Sequence, residues 1–569
     1  MKSLLSILKF IKTQHKFKLF LITSAILISG LLEVFGISLI IPILSQLIYP
    51  ENNLSNYILS YLDMFESEFV IFIIFCLIIL IFFIKNIFLI FANWQIGKFS
   101  AEISYFTTNI IIKNYLSLDY LAYKKESTSN LIKNIQSEAS ILGRSIINIL
   151  SIYSEIVILI FLIVLITIFK PVLFYSIIIS MLFGYLIFFF SKGILLSQGK
   201  KRQLSENSSI QLLNDLSRSY QEIKISDKKN FFLEKILKEY YAIVKSVFYS
   251  GFIQGLPRIL FELILLIGIL IFGLVIYHIY GSYKETFLII SFFSVVSLRV
   301  IPSINRLVYN LQQITFFSPV IKNVENEFKK IKTEKKEKNL ENIVFDNLKF
   351  EKVNFKYNES SKQFILKDIN IVINSGDSIC IMGPSGSGKS TLLNLIMGFI
   401  RPNGGKITIN NNINNYENIS WFRNIGYVSQ SNFLIEDSIK KNVALGYEDK
   451  DINEKKVIKC LIASGLKDYL ESINSNIDLN LGEEGKLISA GQKQRICIAR
   501  ALYNDPSVLI LDEATSSLDQ NTEKQILENL ASYENNVTKI IVSHREMAKN
   551  YCKKIINLEN GELKIENKN

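Results

Sequence analysis

Cysteine and histidine are scarce in this sequence, and neither is arranged to form a disulfide framework or a metal site. The five cysteines among 569 residues include no C-x-x-C pair, and only three histidines accompany them. A structural zinc site needs clustered Cys and His ligands, and a disulfide scaffold needs closely spaced cysteine pairs. We therefore expect neither kind of site, and we interpret the chain as facing a reducing compartment.

Charged residues are rare over long stretches, because 49% of the chain is hydrophobic and only 20% is charged. The formal net charge is +12, from 63 Lys and Arg against 51 Asp and Glu. An excess of basic residues favours nucleic-acid binding only when those residues form one surface patch. Here they flank very long apolar runs, so we expect the partner to be a membrane and not nucleic acid.

Six apolar runs are long enough to cross a bilayer as helices, for which about 20 residues suffice. In the first run, Glu33 is the only charged residue between Lys18 and Glu51. This run is too long for a removable signal peptide. The predicted spans are 18–51, 69–94, 145–169, 171–191, 258–280 and 286–310.

A segment rich in Lys and Glu, 329–340, separates the apolar half from a half of ordinary soluble composition. We predict a transmembrane domain at 1–320, a charged linker at 321–341 and a soluble domain at 342–569. Five lysines precede the core of the first span, whereas 49–68 contains four acidic residues and no basic one. By the positive-inside rule, the N-terminus lies in the cytoplasm.

The two long inner connections, 97–144 and 192–257, have helical patterning and few breakers. We predict that transmembrane helices continue through them, with short helices near 119–130 and 219–230 that couple the two domains. In the outer segment 53–65, apolar residues recur on one helical face. This segment is either an interfacial helix on the outer membrane surface or a short helix packed against the spans.

The soluble half contains the pattern G-x-x-x-x-G-K-[ST] at 383–390, between an apolar strand and a helical run. Its glycines let backbone N–H groups point at phosphate oxygens. Lys389 supplies a positive charge for the β and γ phosphates, and the Ser390 hydroxyl can bind Mg²⁺. The predicted nucleotide-binding residues of this loop are Gly383, Ser385, Gly386, Ser387, Gly388, Lys389, Ser390 and Thr391.

A second element, the apolar run 508–511, ends in two acidic residues, Asp512 and Glu513. Asp512 can hold the Mg²⁺ shell, and Glu513 is placed to polarise an attacking water. Acidic residues at a strand end often serve only to solvate a loop. The phosphate-binding loop in the same domain favours the catalytic interpretation.

The sequence I-S-A-G-Q at 488–492 ends 20 residues before Asp512 and resembles the L-S-G-G-Q signature of ABC ATPases. Other motifs of that family are also present in order, with an X-loop at 482–485 before the signature and a D-loop at 517–519 after it. The resemblance implies that Tyr357 stacks on adenine, Gln430 binds nucleotide and Mg²⁺, and His544 lies near the γ-phosphate. Because six spans precede this domain, the chain resembles a type IV ABC exporter half-transporter, an α-helical transmembrane domain fused to an α/β P-loop ATPase domain.

The family resemblance implies ATP and Mg²⁺ as cofactors, with Glu513 and His544 as catalytic residues. Both catalytic positions match the family pattern, which favours a homodimer. In the signature, Ile488 replaces Leu and Ala490 replaces Gly, so we expect an active site whose rate the extra methyl of Ala490 can lower. The implied signature residues, which bind the ATP of the second chain, are Ser489, Ala490, Gly491 and Gln492, and the implied Mg²⁺ ligands are Ser390, Gln430 and Asp512.

Four basic residues lie within or at the ends of the spans: Lys85, Arg258, Arg299 and Arg306. An intramembrane cation costs about 2.5 to 3.5 kcal/mol to insert and usually faces a partner or a watery cavity. Counted at about 1.5 Å per residue, the four lie roughly 20 to 35 Å below the outer surface. They either form a belt that binds an anionic substrate, or pair with Glu33, Glu155 and Glu262.

The runs around Glu33, around Arg258 and at 298–306 resemble the lipid-linked oligosaccharide flippases of bacterial protein N-glycosylation, the PglK type. This resemblance implies a polyprenyl-pyrophosphate oligosaccharide as cargo and a place in the bacterial cytoplasmic (inner) membrane, with the ATPase domain in the cytoplasm. One alternative is an exporter of drugs, peptides or lipids with an apolar cavity. Another is a membrane-anchored ATPase that regulates a partner without moving cargo.

Overall fold

The computed structural model describes residues 16–38, 67–169, 174–281, 283–330, 343–358, 363–412, 419–515, 519–533 and 536–567. Its internal contacts divide the chain into two compact units. The first comprises Met1–Leu118 and Tyr123–Thr333, and the second comprises Asp119–Ala122 and Glu334–Asn569. The predicted outer segment 53–65 lies outside the described residues.

Helices account for the described part of the first unit, because its long apolar runs contain few helix-breaking residues. A π-helical turn, Asn134–Glu138, joins the fourth helix to the fifth. The helices are α1 (Lys16–Ser38), α2 (Ser67–Leu116), α3 (Tyr120–Lys125), α4 (Thr128–Lys133), α5 (Ala139–Phe169), α6 (Phe174–Arg218), α7 (Tyr220–Ile225), α8 (Lys229–Tyr280) and α9 (Tyr283–Lys329).

Six helical segments within the described ranges are long and apolar enough to cross a membrane. They are Lys16–Ser38, Phe75–Leu116, Thr128–Ile168, Ile177–Arg218, Lys229–Ile279 and Ile289–Lys329. Five of them contain 41 to 51 residues, about twice the length that crosses the hydrocarbon core. The prediction of six spans, with helices that continue well beyond them, is confirmed.

The connections between the long helices follow the predicted pattern at the turning points. Short helices are present there as α3 and α7. The last long helix, α9, contains Pro302 and Pro319 and continues to Lys329. Residue 321, where we predicted the charged linker to begin, therefore falls inside a helix.

The long helices approach each other closely where a glycine removes the side chain. A Cβ on Gly143 in α5 would lie 2.1 Å from the Ser104 Oγ of α2. A Cβ on Gly199 in α6 would lie 1.9 Å from the backbone oxygen of Phe316 in α9. Both distances are far below van der Waals contact, so these two helix pairs require glycine at the crossing.

The second unit contains two sheets and a set of shorter helices. One sheet is antiparallel, in the order β2-β1-β4, and the other has the order β5-β6-β7-β3-β8-β9 with only β9 antiparallel to its neighbour. The strands are β1 (Asn347–Phe355), β2 (Leu366–Asn374), β3 (Ser378–Met382), β4 (Gly404–Ile409), β5 (Ile425–Val428), β6 (Val508–Asp512), β7 (Thr538–Val542), β8 (Lys554–Glu559) and β9 (Glu562–Asn567). The helices are α10 (Lys389–Met397), α11 (Ile419–Arg423), α12 (Ile439–Val443), α13 (Glu454–Ala463), α14 (Lys467–Ser472), α15 (Ala490–Tyr503) and α16 (Gln520–Ser532).

Four adjacent parallel strands, β5, β6, β7 and β3, end at the same edge of the larger sheet. The last three are almost completely buried, which explains their continuous apolar sequences. Open α/β sheets bind ligands outside the carboxyl ends of their strands. The chain segments that leave this edge carry Gln430, Asp512, Glu513, His544 and the phosphate-binding loop.

Candidate functional site

The loop after β3 has the backbone shape of a phosphate cradle. Gly383, Gly386 and Gly388 have φ angles of 149°, 81° and 108°, a region that residues with a Cβ seldom adopt. A Cβ at Gly383 would lie 2.2 Å from the backbone oxygen of Leu558, whereas a Cβ at Gly386 would meet open space. Helix α10 begins at Lys389, so its free N-terminal N–H groups follow the loop directly.

Lys389 and Ser387 supply polar groups that a phosphate would satisfy. Lys389 is 7% exposed, and its Nζ donates to two backbone oxygens of the loop at 2.8 and 3.0 Å. Burial lowers the pKa of Lys389, while the carboxylates of Glu513 and Asp512 act in the opposite direction. The Oγ of Ser387 is buried without a hydrogen-bond partner among the described residues. Phosphate oxygens would accept from both groups, so the loop fits ATP.

Tyr357 reaches the same loop from the antiparallel sheet. It follows β1, and its hydroxyl lies 3.2 Å from the Oγ1 of Thr391, the third residue of α10. Its ring is 45% exposed and meets the ring of Phe355 edge to face. A half-exposed aromatic ring beside the phosphate loop is available to stack on a base. Of the other predicted loop residues, Ser385 and Ser390 are exposed.

Glu513 contacts two other predicted site residues, Gln430 and His544. Its Oε2 accepts a hydrogen bond from the Nε2 of Gln430 at 2.9 Å, and its Oε1 lies 3.2 Å from the Nε2 of His544. The backbone φ of Glu513 is 51°, an uncommon conformation for a residue with a Cβ and one that clusters at functional sites. A carboxylate held between an amide and an imidazole is arranged to orient and polarise a water.

Asp512 lies at the end of β6 beside a tyrosine that sequence analysis missed. The hydroxyl of Tyr427 donates to its Oδ2 at 3.3 Å. Burial raises the pKa of Asp512, and this hydrogen bond opposes the rise. Burial and the neighbouring Asp512 charge raise the pKa of Tyr427, which keeps its hydroxyl a donor. Asp512 and the Ser390 hydroxyl offer the hard oxygen ligands that Mg²⁺ prefers, so the site also fits this ion.

The signature residues form the N-terminus of α15. The Ser489 N–H donates to the Oε1 of Gln492 at 2.8 Å, and the Gln492 N–H donates to the Oγ of Ser489 at 3.2 Å, which together make a capping box. Ser489 and Ala490 are exposed, while Gly491 and Gln492 are partly buried. An exposed helix N-terminus is available to an anion carried by another chain.

A buried ion pair connects the loops that carry the catalytic candidates, and no sequence pattern indicated it. Glu523 in α16 is fully buried and accepts hydrogen bonds from Thr515 Oγ1 at 2.8 Å and Arg545 Nη1 at 2.5 Å. Thr515 lies two residues after Glu513, and Arg545 directly follows His544. A buried carboxylate must be paired, so the contacts of Glu523 hold both loops against α16.

Two of the four cations predicted in the spans are bound by acidic residues on other helices. The Nη2 of Arg299 in α9 donates to Glu33 in α1 at 2.6 Å. The guanidinium of Arg306 makes two bonds to Glu155 in α5, at 2.5 and 3.2 Å. These contacts match the pairing alternative for both arginines.

The other two cations, Arg258 and Lys85, make weaker contacts. Arg258 lies 3.7 Å from Glu262 one turn along α8, and both side chains are exposed. The Nζ of Lys85 lies 5.0 Å from the ring centroid of Phe82, a cation–π distance. Each of the four cations thus contacts a different side chain.

A family model and several relatives match part of this chain. Residues 366–516 match the family model described as ABC transporter. Over 219 residues the chain is 39% identical to multidrug resistance protein 1 of Entamoeba histolytica, covering 38% of this chain and 17% of the relative. It is 39% identical over 212 residues to a putative multidrug export ATP-binding/permease protein of Staphylococcus aureus, covering 37% and 36%. It is 36% identical over 218 residues to an ATP-dependent lipid A-core flippase of Ralstonia nicotianae, covering 38% and 37%.

The matched regions span little more than a third of these relatives at most, but a solved structure extends the likeness to nearly the whole chain. A bacterial Atm1-family ABC exporter with ATP bound superposes with a TM-score of 0.76 over 94% of each chain. Its sequence is 20% identical, so this likeness shows the fold alone. The chain has the fold of an ABC exporter half-transporter, in which six membrane-length helices precede an ABC ATPase domain whose cofactors are ATP and Mg²⁺.

Proposed function

We propose that the chain is an ATP-driven transporter that works as a homodimer in the bacterial cytoplasmic membrane. We further propose that it flips an amphipathic, anionic lipid-linked oligosaccharide across that membrane. The observation that carries the ATPase part is the contact of Glu513 with both Gln430 and His544, at the sheet edge from which the phosphate loop also leaves.

Each residue of this edge has a separate task in the proposed reaction. Lys389 and the N–H groups of the loop bind the phosphates, and Ser390 and Asp512 hold Mg²⁺. ATP with Mg²⁺ supplies the phosphoanhydride bond that is hydrolysed. Glu513 orients the attacking water and accepts its proton, and its contacts with Gln430 and His544 keep the carboxylate in place.

The homodimer is supported by the exposed signature at the start of α15. The signature carries backbone N–H groups that the capping box only partly uses, and it lies on the surface of its own chain. In a dimer it would cover the γ-phosphate bound by the other chain. Since this chain carries both Glu513 and His544, two copies would form two equivalent sites.

The cargo part rests on the intramembrane cations and on the flippase resemblance. Arg306 keeps 44% of its side chain exposed although Glu155 binds it. Lys85 lies over the aromatic ring of Phe82. Both can therefore still meet the diphosphate of a lipid-linked sugar, which would be stabilised by cations inside the membrane.

A second candidate, an exporter of drugs or other lipids, is favoured by the Arg299–Glu33 and Arg306–Glu155 pairs. These pairs neutralise two cations and leave less charge for an anion. The names of the relatives from Staphylococcus aureus and Ralstonia nicotianae, a multidrug exporter and a lipid A-core flippase, fit this candidate as well.

Reconstituted vesicles separate the candidates. The full chain and its Glu513→Gln variant are placed in liposomes with a fluorescent lipid-linked oligosaccharide, an apolar dye, or no cargo. ATP-dependent flipping of the oligosaccharide by the parent alone supports the proposal. Dye movement without oligosaccharide flipping overturns the cargo in favour of the second candidate. ATP hydrolysis without movement of either cargo indicates a regulatory ATPase.

A further inference from the structure

A cavity of about 880 Å³ opens among the helices of the first unit. Its walls come from the π-helical turn, α5, α6, α8 and α9. Its volume falls in the range of small-molecule sites, which is about 300 to 1,000 Å³. Among the described residues, the lining includes two basic ones, Arg144 and Arg202, and no acidic one.

Arg202 brings unsatisfied donors into this wall. The residue is only 8% exposed, yet its Nε and Nη2 are buried without a hydrogen-bond partner among the described residues. Its Nη1 lies 3.1 Å from Glu206 one turn along α6, and the guanidinium lies 5.4 Å from the ring centroid of Phe317. Buried donors without acceptors are costly, so Arg202 has two N–H groups free for an acceptor besides the carboxylate of Glu206.

Four other lining residues, on α8 and α9, form a chain of hydrogen bonds in which the hydroxyl groups act as acceptors. Gln254 donates to the Oγ of Ser250 at 2.7 Å and accepts from Gln313 at 2.7 Å. Gln313 also donates to the hydroxyl of Tyr309 at 3.0 Å. Because the amides use these hydroxyls as acceptors, the protons of Ser250 and Tyr309 remain to be donated. The wall therefore adds donors to those of Arg202.

The backbone around the cavity is shaped to keep it open. A Cβ on Gly251 or Gly255 of α8 would meet no atom within 4 Å, so neither glycine is required for helix packing in the described chain. Gln136 and Ser137 line the cavity from the π-helical turn, whereas Glu138 of the same turn is fully buried. Single π-helical turns are rare and frequent at functional sites.

We propose that this cavity binds a phosphate or diphosphate group, with Arg202 as its charged anchor. Arginine binds phosphate through several parallel N–H···O bonds, and Arg202 has the donors for it. Arg144, Arg202 and the lining residues of α8 lie beyond the predicted cytoplasmic ends of their spans, and Tyr309 lies at the predicted cytoplasmic end of 286–310. The cavity would receive the anionic group before that group enters the membrane. The identity of the cargo that carries the group rests on the proposed function.

The test is equilibrium binding of two probes to the full-length protein in phosphatidylcholine nanodiscs. Inorganic pyrophosphate represents a free anion, and dodecyl diphosphate represents a lipid headgroup. All samples carry Lys389→Ala to weaken binding at the nucleotide loop. Arg202→Gln should weaken binding about tenfold to a hundredfold, and Arg202→Lys should fall between it and the parent. Lys201→Gln, an exposed cation beside it on α6, is the matched control and should change binding less than about twofold.

Gly255→Leu provides an independent test, since it fills the cavity while Arg202 stays in place. It should remove probe binding with an unchanged melting temperature, and it decides the matter if Arg202→Gln fails to fold. Dependence on Arg202 for dodecyl diphosphate alone supports a headgroup site, and dependence for pyrophosphate supports a free-anion site. Parent-like binding by Arg202→Gln or Gly255→Leu overturns the proposal. Absence of flipping with intact Arg202-dependent binding would count against the proposed function only.

Discussion

The two units of the chain differ in how far their chemically active residues converge. In the ATPase unit, adjacent strands bring Gln430 and His544 each within hydrogen-bond distance of Glu513, although the three are far apart in sequence. In the transmembrane unit, Arg299 and Arg306 each contact a separate acidic residue. A sheet edge collects the ends of several strands, whereas a long helix distributes its polar residues along its length. Function in the helical unit must therefore be sought in cavities between helices.

The largest expected effect concerns the ATPase unit. Glu513→Gln keeps the shape of the side chain but removes the carboxylate that accepts a proton, so steady-state ATP hydrolysis should fall to less than about a tenth of the parent rate. ATP binding should persist. Glu471→Gln, an exposed acid on α14, is the control and should hydrolyse at the parent rate. A Glu513→Gln rate near that of the control would remove Glu513 from the catalytic role.

Lys389→Ala should weaken ATP binding itself by about tenfold or more, because the phosphates lose a buried cation. Calorimetry on the full chain measures the affinity, with Lys450→Ala, an exposed lysine, as the control. Equal affinity in the two variants would mean that the loop after β3 does not bind the nucleotide phosphates.

In the transmembrane unit, Arg299→Gln should lower the free energy of unfolding by about 3 kcal/mol, the low end for a buried pair, because 24% of the Arg299 side chain is exposed. Adding Glu33→Gln should restore part of this loss, since no uncompensated charge then remains. Arg258→Gln breaks an exposed pair and should cost at most about 1 kcal/mol.

Thermal melting, measured beside oligosaccharide flipping, decides what the arginines do. Parent-like melting with lost flipping in Arg299→Gln would favour the anion belt over the structural pair. Lost stability with recovery in the double variant would support the structural pair. The same comparison can be made for Arg306 and Glu155.

The smallest expected effect concerns Asp519, the N-cap of α16 and the only residue of the predicted D-loop within the described ranges. A hydrogen bond from the Thr522 hydroxyl is the main cause that lowers the pKa of Asp519, and a hydrogen bond from the Thr522 backbone N–H adds to it. Its charge therefore stabilises the fold above the unfolded pKa of about 3.9, and this contribution is lost as the pH falls through the lowered pKa. The melting temperature of Asp519→Asn should lie slightly below that of the parent at pH 7, and the difference should shrink as the pH falls below the unfolded pKa and through the lowered one. A difference that does not change with pH would contradict this.

The fold could be predicted because length and spacing determine it. A run of apolar residues that exceeds the bilayer thickness specifies a span without any knowledge of tertiary contacts. The end of α9 at Lys329 escaped prediction because the composition changes near residue 320 while the helical backbone continues. The amino-acid composition of a helix reflects whether lipid or water surrounds it. The end of the helix is determined by its backbone hydrogen bonds.

The grouping of Gln430, Glu513 and His544 at the sheet edge could be predicted, because each belongs to a short motif that follows a strand. Tyr427, Glu523 and Arg545 could not, since their roles depend on pairings made only in the folded chain. Arg202 is a similar case, because it lies in a polar helical segment where an exposed arginine would be ordinary. Its burial and its missing acceptors become visible only with the neighbouring helices in place.

The buried carboxylate of Glu523 has a consequence for motion. Glu523 bonds α16 to the loop after Glu513 and to the loop that carries His544. Moving α16 away from these loops would leave the buried carboxylate of Glu523 without its partners. These segments should therefore open as one cooperative unit, with amide hydrogens that exchange at a common rate. A displacement of α16 would then reach the imidazole of His544 and the carboxylate of Glu513 at the same time.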